Sequence, residues 1–429
     1  MALNDAPVRG ENWALSFAPE VTYGTSQATA YLVSTFGVVQ TATMPDPEID
    51  WASIWALGNA SYRNFYINYR GKLTLSGSVP DIWLLNGAPM HFPIGRVSTT
   101  GTDAETGAGT LNGAHAAGVT SIILSDAAGY ENDEYIQIDV NSATTTAEVR
   151  KITSIAGAPT LVVDYPLLYS HLTAAACNEV IAPYTHIIHE TSQLGSLSMQ
   201  HEMFDASGNS ELIRRWSGGK VGRATYTASE GEQLRMSLDE MIFRSVAVDE
   251  DAGIAAATLQ YPTTEPYIFS YGALTLWGTE FARVKSFSLE VSNNLEPKYY
   301  VTDDANDYLP YEIIEGRREY RLGVTIDITD STMFDELVKY GTNQGVAVDG
   351  LFKGFDASMV LTRAASDTIT FTLPPSSAAA GGDAQGCFIR SAPHNLVGDP
   401  QVAIDLDIIA RSAQITVVDS VNNWFYNVV

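Results

Sequence analysis

The sequence predicts a mainly β protein. Short runs alternate apolar and polar residues with period two, clusters of Gly, Asn, Asp and Pro separate them, and helical periodicity is scarce. In chain order the runs lie at 72–79, 120–125, 135–140, 148–155, 160–165, 196–200, 234–239, 286–292, 320–329, 368–373 and 402–409. The most regular is SFSLEVS at 286–292, with Phe287, Leu289 and Val291 on one side and Ser288, Glu290 and Ser292 on the other. It breaks on Asn293-Asn294, residue types that tolerate turn and left-handed geometry better than β-branched ones do. The best helical signal is DSTMFDELVKYG at 330–341. Asp330 or Ser331 can cap it, Met333, Phe334, Leu337 and Val338 share a face, and Lys339 and Gly341 close it.

A chain of 429 residues has room for two or three domains with proper cores, and a hydrophobic content of 45% is ordinary for folded protein. No run approaches the ~18 apolar residues of a membrane span. The opening MALNDAPVRG lacks an apolar signal region, so no secretory leader is expected. Cys177 and Cys387 sit in no metal or redox spacing and are expected as isolated structural thiols. With 24 basic against 50 acidic residues the net charge is −26. Such a surface repels polyphosphate and disfavours tight nucleic-acid binding, which runs on Lys and Arg neutralising phosphates.

Two pairs of segments suggest a duplication. YRGKLTLSGSVPDIWLLNGA at 69–88 and YRLGVTIDITDSTMFDELVKYGT at 320–342 both read Tyr-Arg, an alternating strand, an Asp, a short apolar helix and a closing Gly, 251 positions apart. GEQLRMSLDEMIFRS at 231–245 and GDPQVAIDLDIIARS at 398–412 also match, but 167 positions apart. The difference of 84 residues predicts an insertion in the first copy. Between residues 97 and 182 the composition shifts, first to the linker-like VSTTGTDAETGAGTLNGAHAAG and then to four short strands. The expected domains are therefore 1–96 with 183–250, an inserted small β domain at 97–182, and 251–429.

No catalytic or metal constellation emerges. HIIHE at 186–190 has its histidines at i and i+3, on opposite faces of a strand, whereas a zinc protease needs both on one helix face. WSGGKVG at 216–222 lacks the leading Gly and trailing Ser or Thr of a phosphate loop and is expected to be a turn. TDDANDY at 302–308 carries calcium-type ligands without the EF-hand Gly and Glu, and reads as a solvated loop. No GxSxG, Cys-His pair or isolated carboxylate pair is present, so neither enzyme activity nor a cofactor is expected.

VKSFSLEVSNNLEP at 284–297, followed by PYEIIEGRREYRLGVTIDITD at 310–330, resembles the second half of siphovirus-type phage tail tube proteins. The matching residues are Phe287, Leu289, Val291, Asn293, Asn294, Leu295, Glu296, Ile314, Gly316 and Gly323. GKLTLSGSVPDIWLL and YTHIIHE look like that family's first copy, and 117–171 is similar to a small β module recurring in phage virion proteins. One departure is NLEPKYYVTDDANDYLP at 294–310, where the family often has an arginine near the loop tip and this chain has none.

The resemblance implies two tail-tube β-sandwich or barrel domains, each with a short flanking helix, the inserted module lying outside the tube. Single-copy members form hexameric rings, so a two-copy chain implies a homotrimer with pseudo-sixfold symmetry. Rings would stack around an electronegative lumen through which genomic DNA passes without tight binding. Implied partners are further copies of the chain and tail proteins such as the tape measure, tail terminator and baseplate or distal tail proteins. The place is the virion tail, assembled in host cytoplasm. Lumen-facing candidates are Glu290, Asp239, Asp405 and Asp407. Candidates for an inter-ring stacking loop are Asn293, Asn294, Tyr299, Tyr300, Asp303, Asp304, Asp307 and Tyr308. The competing expectation is a virion or cell-surface adhesin whose acidic loops hold sugar or calcium.

Overall fold

The computed structural model describes residues 13–26, 37–55, 67–140, 145–157, 159–205, 210–248, 254, 264–276, 278–281, 283–300, 308–327, 355–374, 386–391 and 403–424. Strands dominate them. β1 (Trp13–Pro19), β2 (Val38–Thr43), β3 (Pro47–Ile54) and β4 (Ile67–Trp83) precede the long β5 (Gly95–Thr110). β6 (Ser121–Ile123), β7 (Tyr135–Ile138), β8 (Glu148–Ile155) and β9 (Thr160–Val163) lead to β10 (Ala176–Glu190), β11 (Leu197–Phe204), β12 (Ser210–Ser229), β13 (Arg235–Ile242) and β14 (Ser245–Val248). β15 (Gly272–Leu276), β16 (Thr279–Phe281), β17 (Val284–Ser292), β18 (Glu296–Lys298), β19 (Glu312–Ile314) and β20 (Glu319–Asp327) follow. β21 (Ala357–Ala364), β22 (Asp367–Leu373), β23 (Phe388–Ser391), β24 (Ala403–Ala410) and β25 (Gln414–Asp419) complete the set. Two single 3-10 turns are the only helical elements among the described residues.

The first sheet runs β2-β4-β13-β12-β17-β20-β24-β23, all antiparallel, with β3, β1, β11 and β14 attached beside it. Its main path holds two runs of four with one internal order. In chain order, β2, β4, β12 and β13 lie as 1-2-4-3, and β17, β20, β23 and β24 lie as 1-2-4-3 again. In each run the second and fourth strands pair through buried aliphatic side chains, Leu238 of β13 opposite Val79 and Leu406 of β24 opposite Val324. Tyr69-Arg70 and Tyr320-Arg321, paired by sequence, do not occupy matching places: Tyr320 is buried in the sheet and Tyr69 is exposed on a hairpin.

The second sheet runs β16-β15-β21-β22-β25-β10-β7-β8-β9-β6, with β5 along β10. The two sheets face each other across one core. Phe371 of β22 lies between Tyr226 of β12 and Phe287 of β17, with ring centroids 5.4 and 5.3 Å apart. This is the packing that period-two strands with one apolar face demand. Each of the eleven sequence-predicted runs overlaps a strand, although residues 328, 329 and 402 of two of them lie outside the described residues.

β5 and β10 form a ribbon leading out of this sandwich, and β6 to β9 lie beyond it around a second core that includes Ile122, Leu124, Ile136, Ile138, Ile152 and Leu161. Residues 97–110 are therefore strand and not the expected linker. Backbone pairing with β10 makes the strand, and small residues let other groups approach: a Cβ at Gly101 would lie 2.6 Å from Val180. Two other expectations change. Asp81, Ile82 and Trp83, read as the start of a short helix, finish β4: a register shift against β13 between Val79 and Ile82 turns both side chains, three apart, into the core. WSGGKVG is the middle of β12 and not a turn. There Gly218 takes φ +67°, Gly219 accepts the Phe243 ring against its backbone, and β12 passes from β11 and β14 to β13 and β17. The predicted helix at 330–341 lies outside the described residues.

Candidate functional site

The broadest polar feature is the face of the first sheet turned away from the core. Alternation aims Phe287, Leu289, Val291, Leu322, Val324, Leu406 and Ile408 inward and leaves Ser, Thr, Asp, Glu and Arg outside. All four predicted acidic residues fall on this outer face. Glu290 lies between Thr225 and Arg321, Asp405 is opposite Thr325, Asp407 is opposite Gly323, and Asp239 is opposite Arg223. Hydroxyls tie into them. Ser286 donates to Thr325 at 2.9 Å, Thr325 to Asp405 at 2.8 Å, and Ser237 to Asp239 at 3.1 Å.

The face also carries arginines that sequence reasoning missed. Arg321 donates from Nε and Nη2 to the two oxygens of Asp407 at 2.8 and 2.7 Å, and those bonds hold the Asp407 carboxyl below its usual range. Arg390 lies 4.0 Å from the same carboxylate. Arg223 reaches Glu240 at 3.3 Å and Asp239 at 4.0 Å, and Arg235 reaches Asp81 at 3.8 Å. Each of these guanidinium groups thus has a carboxylate beside it. Their partners come from neighbouring strands, at least 16 positions away in sequence, so no local pattern announced them.

The expected stacking loop divides into three parts. Asn293 is only 1% exposed: its Nδ2 donates to Pro93 O at 2.8 Å and Val221 O at 3.0 Å. It is an internal bracket, closed to a partner. Asn294 takes φ +48° and its Nδ2 bonds Arg317 O at 2.7 Å, while Gly316 packs so closely that a Cβ there would lie 2.6 Å from Asn294 O. Tyr299 and Tyr308 fold back on β4. The Tyr299 hydroxyl donates to Leu73 O at 3.2 Å, and the Arg70 guanidinium sits 4.3 Å from the Tyr308 ring. Tyr300 is exposed and bonds Glu312 at 2.7 Å. Asp303, Asp304 and Asp307 lie outside the described residues.

A family described as phage tail tube protein matches residues 87–408, about three quarters of the chain. The chain belongs to the phage tail tube protein family. No curated protein matches it. As a tail tube protein it is a structural component of the virion tail, a class that assembles with itself and with other tail proteins and is not a class of enzymes.

The remaining polar clusters of this tail tube protein are structural in geometry. His186 bonds Thr99 at 2.9 Å and Val421 O at 2.9 Å and stacks 4.0 Å from Trp424, whereas His189 turns to Ser98 at 2.9 Å. The two histidines of HIIHE thus point apart. Among the described residues no group of three or more His, Cys, Asp or Glu is placed to hold a metal ion. No helix among them is long and apolar enough to cross a membrane. Cys177 and Cys387 are buried free thiols, each pushed up to about 12 by that burial.

Proposed function

We propose that the chain builds a hollow tail tube from stacked homotrimeric rings, and that the outer face of the first sheet lines a lumen for genomic DNA. The observation that carries this reading is the 1-2-4-3 order, present twice side by side in one antiparallel sheet that, among the described residues, ends on β2 at one side and β23 at the other. The internal seam joins the outermost strand of the first run, third in chain order, to the first strand of the second, β12 to β17. The same relation between β23 of one copy and β2 of the next continues the sheet head to tail, and such heterologous contacts close into rings. The two runs are then the two duplicated units of the chain.

Strand spacing sets the ring size. Three copies give 24 strands on the main path, which at ~4.8 Å each make a backbone circle about 37 Å across before strand tilt widens it. Side chains of about 6 Å on each side leave about 25 Å, more than the width of a duplex. Two copies leave about 12 Å by the same reckoning, too little.

The chemistry of the face suits passage without adhesion. Phosphate binding needs guanidinium groups that are free to pair, and those on this face already have carboxylates beside them. Glu290, Asp239 and Asp405 add repulsion among neutral hydroxyls. The segment between residues 103 and 180, carried on the β5–β10 ribbon with its own core, is the inserted module and sits on the tube exterior.

Cryo-electron microscopy of the purified chain tests this. The expected result is tubes of three-copy rings with Glu290, Asp239, Asp405 and Asp407 turned to the axis. A map with these carboxylates facing away from the axis overturns the lumen assignment.

A further inference from the structure

Nine of the fifteen large hydrophobic side chains exposed among the described residues lie on two hairpins. One is β3 with the first half of β4; the other is β18 with β19 and their connection. They occupy the same slot in the repeated order, between its first and second strands: β2 and β4 in one run, β17 and β20 in the other. Strands four places apart in an antiparallel sheet run in the same direction, so both hairpins leave the sheet at the same rim.

The first hairpin exposes large apolar side chains on both faces. Trp51 pairs with Arg70, Ala52 with Tyr69, Ser53 with Asn68 and Ile54 with Ile67. Successive pairs face opposite ways, so Trp51 lies on one side and Tyr69, Ile54 and Ile67 on the other. Trp51 is 57% exposed and Tyr69 51%. A two-stranded ribbon with apolar groups on both sides gains little from standing in water, and clustered apolar exposure of this kind marks a protein contact.

We infer that this hairpin docks on the second hairpin of the neighbouring copy in the ring, against Tyr300, Tyr311 and Ile314. The inference rests on the tube reading above. Its template is present inside the chain. The second hairpin leans on the root of the first, with Leu73 N donating to Tyr308 O at 2.8 Å and the Arg70 guanidinium 4.3 Å from the Tyr308 ring. Along a ring of alternating runs, the first hairpin of the next copy meets the second hairpin of this one in the same order. The surface it meets is apolar and aromatic: Tyr300 and Tyr311 pack edge to face at 5.7 Å, and Ile314 is exposed beside them. It matches the character of Trp51 and Tyr69.

The test uses the full chain with Trp51→Ser and Tyr69→Ser combined, and separately with Tyr300→Ala and Tyr311→Ala combined. Circular dichroism and thermal melting follow folding; sedimentation and negative-stain microscopy follow assembly; amide exchange follows residues 47–54 and 67–70. Both variants should fold, the first melting as wild type and the second slightly lower, because it gives up the Tyr300–Glu312 bond and the Tyr300–Tyr311 contact. Assembly should need at least about tenfold more protein, as loss of an aromatic interface anchor does. The hairpin amides should exchange fast in unassembled wild type and slowly in its tubes. Variants that form tubes at wild-type concentration, with hairpin amides still fast in the tubes, overturn the docking and leave the tube reading standing. Wild-type protein that never forms rings overturns both.

Discussion

Arg318 donates from Nε to Asn293 Oδ1 at 2.8 Å, which completes the hydrogen bonding of a buried amide whose two protons are already taken by Pro93 and Val221 carbonyls. Residues from three distant segments therefore meet on one side chain. Asn293→Ala removes the partners of two buried carbonyls and one guanidinium and should cost about 2–3 kcal/mol, read as a fall in the urea midpoint of the unassembled chain. Asn293→Asp should cost at least as much, since a carboxylate cannot donate to the two carbonyls.

Phe371 is the ring on which the two sheets meet. Its replacement by Ala opens a cavity between Tyr226 and Phe287 and should destabilise by about 3–5 kcal/mol in chemical denaturation. Phe371→Leu, which keeps most of the volume, should cost clearly less.

Glu148 anchors the module. Burial alone would raise its carboxyl, but the Arg150 charge and the His171 bond at 2.7 Å outweigh burial and hold it below its usual range. A depressed carboxylate contributes stability that is present above its unfolded value, near 4.5, and is lost as pH falls through the folded one. Asp164, raised by burial, works in the opposite sense, so Glu148→Gln is the comparator. Amide exchange in residues 117–171 should loosen in wild type as pH drops from 5 towards 3. The Gln variant should be looser than wild type already at pH 7, by about 3 kcal/mol, because buried Arg150 loses its paired carboxylate and keeps only Asp164 as a charged neighbour.

The Arg321–Asp407 pair is the strongest ionic contact on the polar face but is open to solvent. Asp407→Asn should lower stability by no more than about 1 kcal/mol, and the difference should shrink in high salt. If the same substitution increases retention of duplex DNA by assembled tubes, the freed Arg321 and Arg390 are the cause; unchanged retention would count against the idea that paired arginines keep the wall non-adhesive.

Thr102 pairs with Ile181 on the ribbon, so the chain can be closed there by a short turn. Replacing residues 104–179 with a Gly-rich turn should leave a folded chain that still forms tubes, thinner in outline by electron microscopy. Loss of tubes on this deletion would place the module in the assembly contacts.

The sandwich strands were legible because one buried face imposes period two, as in Phe287, Leu289 and Val291. β5 was not, because GRVSTTGTDAETGAGT pairs through its backbone with β10 and offers almost no apolar period. Nor was the corner in β12, where Gly218 and Gly219 read locally as a turn although the strand runs through them. The acidic half of the polar face could be read from alternation in Asp405 and Asp407. Its cationic half depends on which strands become neighbours. Asn293 shows the limit from the other side: a turn-forming residue type was evident, but its burial depends on Pro93 and Val221, remote in the chain.

The β12–β17 seam forms when a single chain folds, before any second molecule is met. In a three-copy ring, half of the lateral joints are therefore intramolecular. Nucleating such a ring is a third-order process in protein concentration where six separate units would require sixth order, so the threshold for assembly falls and is less steep. The covalent link also lets the two kinds of joint diverge, one tuned for folding and the other for timed association with the growing tail.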